Sequence, residues 1–409
     1  MESYKVYIDS AAWMCEGNIV GMSRIYQYLL QNGHKIINNH SEADFIIINS
    51  CGFVKSREEF CLYLFNNYYS QKKENASIIM FGCLIKINNK LVKSLDLIPI
   101  DFDEGKKFDK IFFKTIKFED IPPSSDNKII DSLFFPNKIV KESEFISFLL
   151  PRIMSHFSKR IKRNYDKIIK RVHFKDKILI EICNGCIFNC RYCVIKNAKG
   201  RIKSRKIKDI IENIEKLYVP KKNIFLVADD CGSYGLDINT NLFELLKQIN
   251  EKFPNISIEL DAINPYWLEK YPDKYFKLFS EVKISFVTIP VQSGSSRVLK
   301  HMNRNYNVKK IEKIVKRIKK VAPHTAIYTH FIVSYPTERF IDFLKSIICS
   351  MYFDLPIVLV YSGHKDIKNN NILEKQSKFA EVYRYTFFML FLNLVIFYKL
   401  LKFSKIKVN

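Results

Sequence analysis

The sequence is poor in glycine and proline, 12 and 13 among 409 residues, which excludes a collagen-like or low-complexity chain. No apolar stretch follows the initiating methionine; MESYKVYID reads as a strand, so a secretory signal is excluded. No self-similarity of solenoid period is present. Acidic residues are the scarce charge, 42 against 66 Lys and Arg, leaving a formal +24. That excess permits a polyanionic partner such as RNA. Lys is abundant together with Ile, Asn, Phe and Tyr, however, the pattern of a codon bias, and charge alone does not choose between the two causes. Apolar residues at 47% and charged residues at 26% describe a globular chain, long enough for two or three domains. Ten cysteines without an export signal imply a cytoplasmic, reducing setting, where metal ligation or catalysis outranks disulfides.

Four segments follow from patterning. Residues 1–123 alternate strands (YKVYID, ADFIIINS, ASIIMFG) with amphipathic stretches, SRIYQYLLQNG among them, and the spacing predicts a small parallel α/β domain with a helix stopped at Gly33. IPPSSDN at 121–127 is turn chemistry and marks a boundary. Residues 124–176 form a basic helical linker carrying Lys159, Arg160, Lys162, Arg163, Lys167, Lys170 and Arg171, either a solvated helix or a phosphate-contacting surface. Residues 177–365 hold six strands (KILIEIC, KNIFLVAD, ISIELDAI, KISFVTIPV, AIYTHFIVSYP, LPIVLVYSG) spaced by helices. Six units are too few for a closed eight-unit barrel and fit a partial (β/α)6 barrel with its site at the C-terminal strand ends. Residues 366–409 are an apolar tail. Its run Tyr385 to Tyr398 is apolar on all faces but, at about 14 residues, falls short of the ~17–25 that span a bilayer. A buried core helix and a membrane contact through 385–403 are the two readings of it.

NGCIFNCRYCVI sets Cys186, Cys190 and Cys193 in C-x3-C-x2-C spacing directly after an apolar strand. Three thiolates on a tight loop hold three irons of a cubane cluster and leave the fourth open to a chelating small molecule. Cys183 extends the run to four cysteines, so a zinc site is an alternative, and incidental structural cysteine is another. Cys15, Cys51 and Cys83 follow three strands of the N-terminal domain. In a parallel α/β domain neighbouring strand ends lie side by side, so these three, 36 and 32 residues apart, can meet. Small buried cysteines are also common in cores. Cys61, Cys231 and Cys349 have no place in either set and read as structural.

The C-x3-C-x2-C segment resembles that of the radical S-adenosylmethionine (SAM) superfamily. Further blocks are similar to the methylthiotransferases within it: NAKGRIKSR with Gly200 and Ser204-Arg205, LVADDCGSYGLD, IPVQSGSSRVLKHMNR, and the N-terminal Asn18 with Asn49-Ser50-Cys51-Gly52-Phe53. The resemblance covers roughly residues 4–345. It departs at Ser334-Tyr335-Pro336-Thr337-Glu338-Arg339, where the family carries Gly-Phe-Pro-Gly-Glu-Thr. It departs again where YSGHKDIKNNN replaces an Arg-x-Gly-Thr-x-Ala segment. The tail leaves no room for the usual C-terminal TRAM β-barrel.

The resemblance implies an enzyme with two 4Fe–4S clusters and SAM as cofactors. One SAM methylates a sulfide on the auxiliary cluster of Cys15, Cys51 and Cys83. A second, at the cluster of Cys186, Cys190 and Cys193, yields the 5′-deoxyadenosyl radical that abstracts hydrogen from an unactivated C–H bond. Gly232, Tyr234, Gln292, Ser293 and Arg205 are the candidates for shaping the SAM pocket, with no catalytic residue assigned beyond the cluster ligands. An electron donor such as flavodoxin or ferredoxin is implied as partner. The expected substrate is a ribosomal protein or peptide residue; the alternative within the class is adenosine 37 of tRNA. From another class, a diverged, non-catalytic iron–sulfur and RNA-binding protein is the competing reading.

Overall fold

The computed structural model of the chain describes residues 3–12, 15–125, 177–220, 222–363 and 376–402. Of the basic linker expected at 124–176, residues 126–176, with the basic cluster from Lys159 to Arg171, lie outside them. The chain divides into two compact units, one of residues 1–135, 177–242 and 362–370, the other of 136–176, 243–361 and 371–409.

The first unit opens with a parallel sheet. β1 (Lys5–Ser10), β2 (Lys35–Ile36), β3 (Phe45–Ser50), β4 (Ser77–Gly82) and β5 (Ile98–Ile100) run in the order β2-β1-β3-β4-β5, every pair parallel. Unbroken β-branched runs such as Phe45-Ile46-Ile47-Ile48 suit strands buried on both faces; Ile46, Ile47, Ile48 and Ile79 are fully buried. The helices α1 (Glu16–Gln31), α2 (Lys55–Gln71), α3 (Leu84–Ile87) and α4 (Asn89–Lys93) lie between these strands, and α5 (Lys106–Phe112) follows the last of them. α1 ends where the sequence places its stop. Gly33 takes φ +72°, and the Gly33 and His34 amides donate back to Leu30 and Leu29, a Schellman closure that only a residue tolerant of positive φ completes.

The same unit continues with β6 (Ser124–Ser125) antiparallel to β7 (Lys177–Glu181), which pairs in parallel with β10 (Asn223–Val227). Between them β8 (Cys183–Asn184) and β9 (Lys203–Ser204) form an antiparallel clip. α6 (Ile195–Lys199) lies inside the clip and α7 (Ile207–Leu217) beyond it.

The second unit carries β11 (Ile258–Ala262), β12 (Ile284–Thr288), β13 (Ala326–Val333) and β14 (Leu355–Val360), all parallel in that order. Its helices are α8 (Leu242–Lys252), α9 (Pro265–Lys270), α10 (Pro272–Glu281), α11 (Ser296–His301), α12 (Val308–Val321), α13 (Phe340–Ser350) and α14 (Lys378–Lys402). All six strands expected for residues 177–365 are present.

The tail is not apolar-buried on all faces. α14 buries Phe388, Met389 and Leu392, with Phe388 against Phe331 and Phe343, while Phe379, Val382, Tyr383, Phe387, Leu390 and Leu394 stay exposed. One face packs because β13 and α13 offer an apolar bed; on the other, Phe387 still touches the Phe343 ring edge-on. Among the described residues no helix is long and apolar enough to cross a membrane. The divergent Ser334–Arg339 segment is tied to this helix: Glu338, fully buried, pairs with Arg384 at 2.9 Å and accepts from the Ser334 amide at 2.8 Å.

Candidate functional site

β1, β3 and β4 are neighbours in the sheet, and their C-terminal ends release Cys15, Cys51 and Cys83. Cys51 and Cys83 directly follow their strands, and Cys15 caps α1. The three thiols are close enough to feel one another's charge. Burial pushes all three up, Cys15 to about 12. Backbone N–H groups of Asn18 and Phe53 donate to Cys15 and Cys51 and partly offset this. A desolvated thiol at such a value keeps its proton until a metal displaces it. Cys61, read from sequence as structural, sits beside this trio: the Cys51 amide donates to its sulfur at 3.2 Å. Fully buried in the core against Ile46, Ile48 and Met80, it fixes the Cys51 backbone.

The second trio is carried on the clip. The β8–β9 ladder pairs Cys183 with Ser204 and closes the loop at its base. Gly185 makes that closure possible: at φ +79° a Cβ there would lie 2.4 Å from the Arg201 carbonyl oxygen. Above the pinch a cavity is lined by Cys186, Cys190, Cys193, Phe188, Asn189 and Asn197, among others. The three thiols interact electrostatically, and burial raises Cys186. Cys183, the fourth member of the zinc alternative, is turned elsewhere; its thiol donates to the Asp230 carbonyl and lies beside Cys231. Among the described residues no three His, Cys, Asp or Glu side chains are drawn together tightly enough to clasp a single metal ion. Trios of neighbouring thiols at wider spacing match a polynuclear cluster better than one zinc.

The two sites share one unit, and residues that sequence reading passed over join them. α3, which starts after Cys83, packs through Ile87 on Val194 and Ala198 beside α6. From the end of α6 the Lys199 ammonium reaches the Asp229 carboxylate at 2.9 Å, with side chains 7% and 10% exposed. The other Asp229 oxygen accepts from the Gly185 amide at 2.8 Å, next to Cys186. Burial lowers the Lys199 pKa, but Asp229, Cys15, Cys83 and Glu181 outweigh it and hold it above the usual lysine value. No local pattern marks Lys199 or Asp229, because their burial is a product of the fold.

Of the expected SAM-pocket residues, Arg205, Gly232 and Tyr234 come together in the first unit. The Tyr234 hydroxyl donates to the Arg205 carbonyl at 2.8 Å, and the Arg205 guanidinium donates to Glu181 O and Asn213. Gly232 sits in a turn fixed by Asp230, which accepts from its amide. Gln292 and Ser293 belong to the second unit. Gln292 takes φ +69° and leaves its Oε1 buried without a partner. The Ser293 hydroxyl lies 3.4 Å from that of Ser346 and accepts from the Ser295 amide.

Two family descriptions match this chain: the Radical SAM superfamily over residues 180–347 and the uncharacterized protein family UPF0004 over residues 5–99. The ribosomal protein uS12 methylthiotransferase RimO of Thermoanaerobacter sp. (strain X514) is 27% identical over 90% of this chain and 79% of its own length. The probable threonylcarbamoyladenosine tRNA methylthiotransferase of Pyrococcus horikoshii is 26% identical over 84% and 73%. The tRNA-2-methylthio-N(6)-dimethylallyladenosine synthase of Thermosipho melanesiensis is 28% identical over 78% and 67%. These matches and relatives together support the radical SAM methylthiotransferase family for this chain. Among solved structures, the cobalamin-dependent SAM radical enzyme OxsB with aqua-cobalamin bound superposes with a TM-score of 0.53 at 12% identity, over 95% of this chain and 56% of that one. This is a likeness of fold, and the chain spans little more than half of that enzyme. Radical SAM methylthiotransferases transfer a methylthio group and use two 4Fe–4S clusters with SAM. The donor chemistry here fits: two sets of three soft thiol ligands, each leaving one iron of a cubane without a cysteine.

Proposed function

We propose that this methylthiotransferase modifies an unactivated C–H bond of a ribosomal-protein or peptide residue, with Cys186, Cys190 and Cys193 holding the SAM-cleaving cluster and Cys15, Cys51 and Cys83 the auxiliary one. The observation that carries the two-site assignment is the presence of two separate thiol trios in a single compact unit. When bound, a cubane with an open iron supplies the electron that splits the sulfonium of SAM, and the cofactors carry the hard chemistry. The chain's residues arrange it. The β8–β9 clip and Gly185 fix the loop that presents one trio. Adjacent strand ends present the other. Arg205, Gly232 and Tyr234 form a hydrogen-bonded wall after β9 and β10, at the strand ends where ligands of parallel α/β folds bind. A ferredoxin- or flavodoxin-like protein is the proposed electron donor.

For the substrate, the NSCGF and VADDCGSYG motifs and the coverage by uS12-modifying relatives support a protein residue. The tRNA-modifying relatives make adenosine 37 the competing target. The test is incubation of reconstituted, reduced enzyme and SAM with ribosomes and tRNA from cells lacking this chain, followed by mass spectrometry of both. A methylthio group on a ribosomal protein alone supports the proposal. Its appearance only on tRNA nucleosides replaces the protein substrate with tRNA.

A further inference from the structure

We propose that Lys199 is a positioning residue of the Cys15/Cys51/Cys83 site: its ammonium is the fixed counter-charge of the anionic group held there, and Asp229 locks it to the loop of the other trio. The inference rests on the two-cluster reading above. Three observations carry it.

An ammonium has three donors. Lys199 gives one to Asp229 and lies 5.3 Å above the Phe102 ring, and its remaining N–H groups are buried with it. After Asp229, Cys15 and Cys83 are the ionisable groups that act on it most, which sets the ammonium beside these two thiols.

The first turn of α1 lies directly against this group. A Cβ at Gly17 would lie 2.9 Å from the Lys199 Nζ, and Gly17 is two residues from Cys15. Asn18, on the same turn, is buried with both its carboxamide nitrogen and oxygen lacking partners. Asn49, near the end of β3 and two residues before Cys51, has an unpartnered buried Oδ1. Unsatisfied polar groups at this density are costly unless a polar or ionic occupant completes them.

Three thiolates around a 2+ cubane core leave a net negative charge, which grows by one when the core takes up an electron. A buried cation beside it favours the reduced form. Asp229, by accepting from Gly185 as well, holds that cation at one distance while the Cys186 loop is in place.

The test uses the full chain with Cys186, Cys190 and Cys193 replaced by Ala, so that one cluster gives the signal. Iron content and the midpoint potential followed by electron paramagnetic resonance are measured for this parent and for its Lys199→Met, Lys199→Gln and Lys199→Arg derivatives. The neutral variants should lower the reduction equilibrium constant at least tenfold, 59 mV for a one-electron couple, with Arg restoring most of it. Gly17→Ala, which keeps the lysine but displaces its end group, should move the potential in the same direction by less. It also serves if the neutral variants do not fold. Full iron with an unchanged potential in the neutral variants, or in Gly17→Ala where only that variant folds, overturns the inference. A parent that binds no iron instead overturns the two-cluster reading on which it depends.

Discussion

Replacing Asp229 with Ala tests the joint between the two sites in the metal-free protein. The substitution strands the Lys199 ammonium, 7% exposed, without its 2.9 Å partner, and removes the acceptor of the Gly185 amide at 2.8 Å. Breaking a buried ion pair by deleting one member costs about 3–5 kcal/mol, because the remaining charge stays desolvated. The neighbouring thiols cannot take over, since burial keeps Cys15 and Cys83 protonated. The lost hydrogen bond to a charged group is worth about 1.5–3 kcal/mol but overlaps with the pair, so a total near 4–5 kcal/mol is expected. That is a large share of the ~5–15 kcal/mol that holds a domain together. Asp229→Asn retains an acceptor for Gly185 and should cost less, about 3 kcal/mol. In the double variant Asp229→Ala with Lys199→Met no charge is stranded, and at least about 2 kcal/mol should return as a coupling energy. Hydrogen exchange of β7 and β10 peptides in the reduced apoprotein reads the first unit directly. A cost below about 1 kcal/mol for Asp229→Ala, or strict additivity in the double variant, would refute the buried-pair argument.

Other outcomes follow from the second unit. At Gly294 a Cβ would stand 2.2 Å from the Lys345 carbonyl oxygen and 2.6 Å from the Ser346 nitrogen; Gly294→Ala should cost about 3 kcal/mol, and a urea midpoint within error of the parent would contradict the close approach. Burial pushes the His330 imidazole down to about 4, so the unfolded chain binds more protons than the folded one between pH 6.5 and 4. Stability is then fully present above 6.5 and falls as pH drops through that window, by about 1–3 kcal/mol; His330→Phe should remove this part of the acid sensitivity, and an unchanged melting-temperature profile against pH would deny it. Deleting residues from Lys378 onward uncovers Phe331 and Phe343 and leaves fully buried Glu338 without Arg384. The truncated chain should aggregate, whereas a gain in solubility on fractionation would assign the tail to another role.

The strands and the helix stop at Gly33 were legible because period and turn chemistry are local properties. The thiol trios were legible for a topological reason: in a parallel sheet consecutive strand ends share an edge, so Cys15, Cys51 and Cys83 were bound to converge once β1, β3 and β4 paired. What stayed hidden is of longer range. Nothing in NAKG distinguishes Lys199 from a surface lysine until α3 and the first turn of α1 close over it. Cys61 had no place in either cysteine set, yet the second turn of α2 carries it within hydrogen-bond reach of the Cys51 amide. The tail reads as uniformly apolar, and which face is covered depends on β13 and α13, elements far upstream.

The central claim is a division of labour between the two trios, and one product analysis tests it. Full-length protein with Cys15, Cys51 and Cys83 replaced by Ala is reconstituted anaerobically, its fold verified, and supplied with reductant, SAM and substrate. The account predicts that it still forms 5′-deoxyadenosine, because the cluster site of Cys186, Cys190 and Cys193 is intact, and that it transfers no methylthio group. Methylthio insertion at the parent's rate would show the N-terminal cysteines to be structural and contradict the two-cluster account.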